Sequence, residues 1–158
     1  MTIRLLAAVA CMALLVSCTS LQSAGSDVGG PAQAGAPTLV GAWEVTASRS
    51  RGVGKNLLTF SSDGTFFRSG DTHPVVSGGH GAWKRVGTNR YQASYVSFTF
   101  DQSGKWVGVN RNNLELNLSP DGNGFNGTVK SSNRDLEDKV ISTATSPLAG
   151  KRIQVQPF

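Results

Sequence analysis

An all-β fold, an eight-stranded antiparallel up-and-down barrel, is predicted by three features of this sequence. From Leu39 onward, short apolar-alternating runs recur, and no stretch of twelve residues shows a helical period. Clusters of Gly, Asp and Asn separate those runs at hairpin spacing. The composition, 16% charged with 19 Gly in 158 residues, is that of a turn-rich β protein. Recurrent Val, Leu, Ile, Phe and Trp exclude disorder of the whole chain, and two cysteines, Cys11 and Cys18, are too few for a disulfide scaffold. Closing the sheet removes the two edges an open sheet has to protect, with a β-sandwich as the competing arrangement.

The elements follow in order. Arg4 precedes Leu5–Val16, twelve apolar residues without a charge. A membrane-spanning helix needs about 20, so this run has the length of a signal-peptide core and not of a permanent anchor. It ends in Leu15-Val16-Ser17-Cys18, which resembles the lipobox of bacterial lipoproteins. The resemblance implies a lipoprotein signal peptide over 1–17, cleavage after Ser17, and acylation of Cys18, which ties the chain to a lipid bilayer. Two or three acyl chains anchor stably where one is marginal. Loss of Cys11 with the signal and lipidation of Cys18 leave no free thiol. Thr19 after the cysteine, by similarity to such lipoproteins, implies the outer membrane facing the periplasm. Ordinary secretion, with cleavage near Gln22-Ser23-Ala24, is the alternative.

Residues 18–38, the lipidated Cys18 and a Gly-, Ala-, Ser- and Pro-rich stretch with one charge, Asp27, read as a flexible linker reaching ~25 Å. The barrel domain then occupies 39–158. Strands are expected at about 40–49, 55–62, 64–70, 80–87, 89–101, 105–112, 113–119 with 123–132, and 138–146. The turns are Ser62-Asp63-Gly64, Gly87-Thr88-Asn89, Asp101–Gly104 and Pro120–Gly124. Two strands carry a change of parity. Tyr91, Ala93 and Tyr95 are odd and Val96, Phe98 and Phe100 even; Val107 and Val109 are odd and Leu114, Leu116 and Leu118 even. A side-chain period of two then calls for bulges, or for a loop at Asn110–Asn113.

Gly41-Ala42-Trp43 at the first strand and Gly150-Lys151-Arg152-Ile153 near the end resemble the lipocalin (calycin) signature. Short segments between them, including Thr59–Thr65 and Gly79–Arg85, are similar to small bacterial lipocalin-like proteins. The resemblance implies a lipocalin-like barrel able to hold a small ligand, with Arg152 stacked on Trp43 beside Gly41 as the barrel closure. Such stacking is worth ~0.5–2 kcal/mol whatever the family.

Candidate ligand-binding residues are the large aromatics Phe66, Tyr91, Tyr95, Phe98 and Trp106, together with His73 in a loop at 71–79 read as a lid. The same aromatics also suffice to fill an eight-stranded barrel, but small residues at Ala93, Ser94, Ser97, Gly127 and Ala144 leave room for a partial cavity. His73 and His80 lack a third ligand beyond Asp71, so no metal is expected; His80 reads as closing a turn. Arg49, Arg51 and Lys55 cluster at one loop, a patch suited to anionic head groups, an acidic ligand or plain solvation. Removing Arg4 takes 15 basic residues to 14 against 10 acidic ones, a net +4. Without interleaved aromatics this charge does not indicate nucleic acid.

No nucleophile elbow, phosphate loop or zinc-protease motif occurs, so no catalytic residue and no cofactor is assigned. The favoured expectation is a monomeric envelope protein that carries a small apolar ligand without chemistry. The alternatives are a barrel enzyme of the allene-oxide-cyclase or Diels–Alderase type, and a packed structural barrel. A cavity above ~300 Å³ separates the last from the first two.

Overall fold

The computed structural model of the chain describes residues 37–50, 52–72 and 74–157. Eight strands form a closed antiparallel barrel: β1 (Gly41–Arg49), β2 (Gly52–Phe60), β3 (Thr65–Gly70), β4 (Val76–Gly87), β5 (Arg90–Phe100), β6 (Trp106–Leu118), β7 (Gly124–Arg134) and β8 (Val140–Arg152). Each pairs with the next, and β8 returns to β1 with Trp43 opposite Arg152. Stepping round the inner face from Trp43 through Leu58, Arg68, Gly79, Ser97, Asn110 and Asn133 arrives at Ser142, ten residues before Arg152 on the same strand. That stagger tilts the strands, as closure of a sheet requires.

Local chemistry sets the hairpins. Gly64 closes the β2–β3 turn at φ +85°, where a side chain would be strained, and its N–H donates to Ser61 O at 3.1 Å. Asp63 accepts from the Thr65 hydroxyl and N–H, Asp101 from Ser103, and Asp121 from Ser119 and the Asn123 N–H, so these three hairpins each carry an acidic side chain that ties down its own backbone.

Four expected features are corrected. Trp106–Leu118 form the single strand β6, with no loop at Asn110–Asn113, and Asn112 lies buried on its inner face. β8 runs to Arg152, well past 146, and β4 begins at Val76, so residues 76–79 of the stretch read as a lid belong to a strand. The mid-strand parity changes do not occur either. In β5 the inner face stays odd, with Tyr91, Ala93 and Tyr95 continued by buried Ser97. In β6 it stays even, with Leu118, Leu116 and Leu114 continued by Asn112. Where the bulk of the apolar residues switches parity, it is the outer wall that becomes apolar and the lumen that becomes polar. The register shift in this pair lies at the strand end, between Thr99 and Phe100.

The core fills one end of the cylinder. Leu39, Trp43, Phe60, Phe66, Leu116 and Phe125 are buried there, with Phe60 stacked on Phe66 at 4.6 Å and Trp43 against Phe125 at 5.0 Å.

Candidate functional site

The two ends of the barrel differ in chemistry. At the closed end Trp43 is fully buried and its indole N–H donates to Leu39 O at 2.9 Å. The Arg152 guanidinium lies 4.2 Å from the Trp43 ring centroid. Its Nε donates to Gly122 O at 2.7 Å, Nη1 to Val40 O at 2.7 Å and Nη2 to Thr38 O at 2.6 Å. One side chain thus ties β8 to the β6–β7 turn and to the strap entering β1. Gly41 makes this possible: it sits at φ +130°, and a Cβ there would meet Arg152 Nη1 at 2.7 Å. Gly41, Trp43 and Arg152 therefore meet as one closure.

Above the core lies an internal cavity of about 360 Å³. Its lower wall is apolar: Val45, Ala47, Leu58, Leu114, Val129 and Leu148. Its upper wall is polar. On β6, β7 and β8 a ladder of side chains crosses the mouth: Ser131 Oγ donates to Asn112 Oδ1 at 2.6 Å, Asn112 Nδ2 to Asn110 Oδ1, Asn110 Nδ2 to Asn133 Oδ1 at 2.6 Å, and Asn133 Nδ2 to Ser142 Oγ at 3.0 Å. Opposite it stands Arg68, only 6% exposed although charged. Its Nε and Nη2 both donate to Asn56 Oδ1, at 2.9 and 2.7 Å, Nη2 also donates to Thr72 Oγ1 at 3.2 Å, and Nη1 reaches Ser77 O at 3.4 Å. Burial pulls the guanidinium down from its ordinary value, yet an arginine stays charged at any physiological pH.

Two glycines make space for the cations. A Cβ at Gly70 would overlap the Arg68 guanidinium, and one at Gly54 would overlap that of Arg49, which also lines the cavity. At the rim Arg49 Nη2 donates to Asp71 Oδ1 at 3.0 Å, and Asp71 Oδ2 accepts from the Lys55 N–H at 2.8 Å. That backbone bond first, then Arg49, holds the Asp71 carboxyl below the usual range. Tyr95 lines the same cavity with its ring edge-on to Phe66 at 5.6 Å; burial pushes its phenol up, against the pull of the Arg68 and Arg49 charges.

Comparison with known protein families, curated proteins and solved structures found no match for this chain.

Of the described aromatics expected to bind a ligand, Tyr95 alone lines the cavity, joined there by Arg49 of the basic cluster and by the small residue Ala144. Phe66 is buried beneath it, and Tyr91 lies at the closed end with its hydroxyl 3.5 Å from Pro37 O. Phe98 and Trp106 stand on the outer wall, 54% and 48% exposed and packed edge-to-face on each other, so they do not line the lumen. The even positions of β5 point outward throughout, and the register shift between Thr99 and Phe100 pairs Trp106 with Phe100 on that outer side. His73, Arg51 and Cys18 lie outside the described residues. His80 is an exposed residue of β4 packed against Phe67 at 5.0 Å, not part of a turn. Among the described residues no three His, Cys, Asp or Glu gather as a metal site would need.

Sequence reasoning missed Arg68, Asn56, Asn112 and Ser131. The available signal was phase: each is two residues from an inward apolar position, namely Phe66, Leu58, Leu114 and Val129. A larger hollow, about 630 Å³, lies on the outer wall over Glu44, Thr46, Lys55 and Lys151, but those side chains are solvated and none is a buried polar group.

Proposed function

We propose that this chain is a lipocalin-like carrier of the cell envelope, anchored through acylated Cys18, whose barrel holds one small amphipathic molecule. The cavity carries this reading. Its volume of about 360 Å³ falls within the ~300–1,000 Å³ of small-molecule sites. At ~30 Å³ per non-hydrogen atom, the share of a water in the liquid, it accommodates roughly a dozen such atoms. The expectation of a largely apolar ligand is narrowed accordingly, because half of the wall is polar and contains a buried charge.

Two features favour holding over chemistry. The described lining offers no carboxylate, imidazole or thiol to move a proton near neutral pH. Tyr95 is pushed toward its neutral form, which serves as a hydrogen-bond donor. The Leu15-Val16-Ser17-Cys18 segment supports the anchor, and the following linker supports a domain held clear of the bilayer.

The test is extraction of the protein from its native envelope and mass spectrometry of what accompanies it, beside an Ala144→Phe variant that fills the mouth of the cavity. A recurrent small amphiphile with the parent protein, depleted in Ala144→Phe, is expected. Repeatedly empty extracts, or equal loading of the variant, would contradict carriage. Detergent-phase partitioning that is lost in Cys18→Ser is expected of the anchor; retention in the detergent phase would contradict it.

A further inference from the structure

The carrier reading leaves open what sits at the head of the cavity, and Arg68 addresses that. Among the described residues three ion pairs form, Arg49–Asp71, Arg111–Asp138 and Arg134–Asp138, and none includes Arg68. Its acceptors are an amide oxygen, a hydroxyl and a carbonyl, all neutral. Taking a guanidinium out of water without a counter-charge is costly, and buried charges are ordinarily paired. The cost is incurred in a cavity wall, where a ligand can supply the missing charge.

The hydrogen-bond geometry shows where that ligand would sit. A guanidinium has five N–H groups in a planar fork. Nε and Nη2 are occupied by Asn56 and Thr72, which fix the plane of the fork, while Nη1 makes one long 3.4 Å contact to Ser77 O and has a second hydrogen without a described acceptor. Gly70 leaves the guanidinium room to lie against the wall. The other cation of the lining, Arg49, is ion-paired with Asp71, whose charge also acts on Arg68 without touching it, so the three groups together carry a single net positive charge. The lining therefore holds one uncompensated positive charge, at the boundary between the polar mouth and the apolar floor.

We propose that this is a carboxylate subsite: the cavity takes a singly charged amphiphile, a medium-chain acid, with its head on Arg68 and its tail on Leu58, Leu114, Val129 and Leu148. A single charge matches a carboxylate better than a phosphate monoester, which carries about −1.5 to −2 at neutral pH. The roughly dozen non-hydrogen atoms the volume admits correspond to a saturated acid of about ten carbons. The assignment rests on the carrier reading, which it sharpens.

The experiment is calorimetric titration of the purified full chain, freed of bound lipid, with decanoate, decanol and decyl phosphate at neutral pH and low salt. Decanoate is expected to bind roughly tenfold or more tighter than decanol, the worth of a charge-assisted hydrogen bond. Arg68→Gln should abolish that preference while leaving decanol affinity within about twofold, the floor being unchanged. Because Arg68→Gln removes a buried group, Asn56→Asp serves as the second variant: it keeps the arginine and gives it an internal counter-ion. It should fold as the parent does and lose the decanoate preference equally. Binding of both ten-carbon probes without preference, or a preference that survives Asn56→Asp, would overturn the carboxylate assignment and leave carriage standing. Tighter binding of decyl phosphate than decanoate would overturn the single-charge match. If neither decanoate nor decanol bound, both the subsite and the carrier reading would fall.

Discussion

Replacing Arg152 by methionine isolates the closure, because the apolar stem is kept and only the guanidinium is removed. Three hydrogen bonds from Arg152 to the carbonyls of Gly122, Val40 and Thr38 are lost, and so is the stacking on Trp43 at 4.2 Å. The side chain is partly solvated, so each bond is taken at about 1 kcal/mol and not at the full worth of a buried charged bond. With ~0.5–1 kcal/mol for the cation on the indole, the loss comes to about 3.5–4 kcal/mol. For a domain of this size 1 kcal/mol moves the melting temperature by about 3–5 °C, so a fall of roughly 10–20 °C is expected. Circular dichroism melts and urea titrations read it directly. Lys151→Met is the control: the neighbouring side chain is exposed, and its loss should stay within about 0.5 kcal/mol. An Arg152→Met protein melting within ~2 °C of the parent would refute the reasoning that this residue fastens the last strand to the first.

Three further outcomes follow from the same geometry. Gly41→Ala should destabilise by about 1–3 kcal/mol in urea titrations, since φ +130° strains an alanine and its Cβ would crowd Arg152 Nη1. The carboxyls of Asp63, Asp71, Asp101 and Asp121 lie below their ordinary value, held chiefly by Thr65, the Lys55 N–H, Ser103 and Ser119 respectively. A depressed folded pKa contributes stability that is fully present above the unfolded value of ~3.9 and is lost as pH falls through the folded one. The urea midpoint should therefore hold from neutral pH to about 5 and decline below about 4; a midpoint unchanged at pH 3 would contradict this. In ultraviolet titration the parent minus Tyr95→Phe difference should show Tyr95 ionising above the usual tyrosine range, because burial is the larger influence on it.

Particular residues show how far the sequence carried. The eight-stranded closure was legible because hairpin chemistry is local: Asp63-Gly64, Asn89, Asp101–Gly104 and Gly122 each act within a few residues of themselves. The pairing of Trp43 with Arg152 was legible through the resemblance of the two ends of the domain to the lipocalin signature. The site was not, for one physical reason. Reading apolar residues as inward assumes an apolar lumen, whereas the mouth of this lumen is lined by polar side chains. Phe98 and Trp106 were taken for lining because they are large, yet they stand outside, while the phase of Tyr91, Ala93 and Tyr95 leads on to Ser97. Asn110 and Asn112 looked like a loop and are two rungs of an inner polar ladder. Arg68 gave no local signal, because its burial depends on Asn56 and Gly70, brought to it by the β2–β3 register.

The central claim is that the lumen, with an apolar floor and a polar mouth, is where a small molecule sits. Nuclear Overhauser spectroscopy on the methyl-labelled protein with decanoate bound tests it most directly. Alkyl protons of the ligand should show contacts to the methyls of Leu58, Leu114, Val129 and Leu148, with none to Val96 or Val107 on the outer wall. Contacts confined to the outer methyls, with the inner ones silent, would contradict the account.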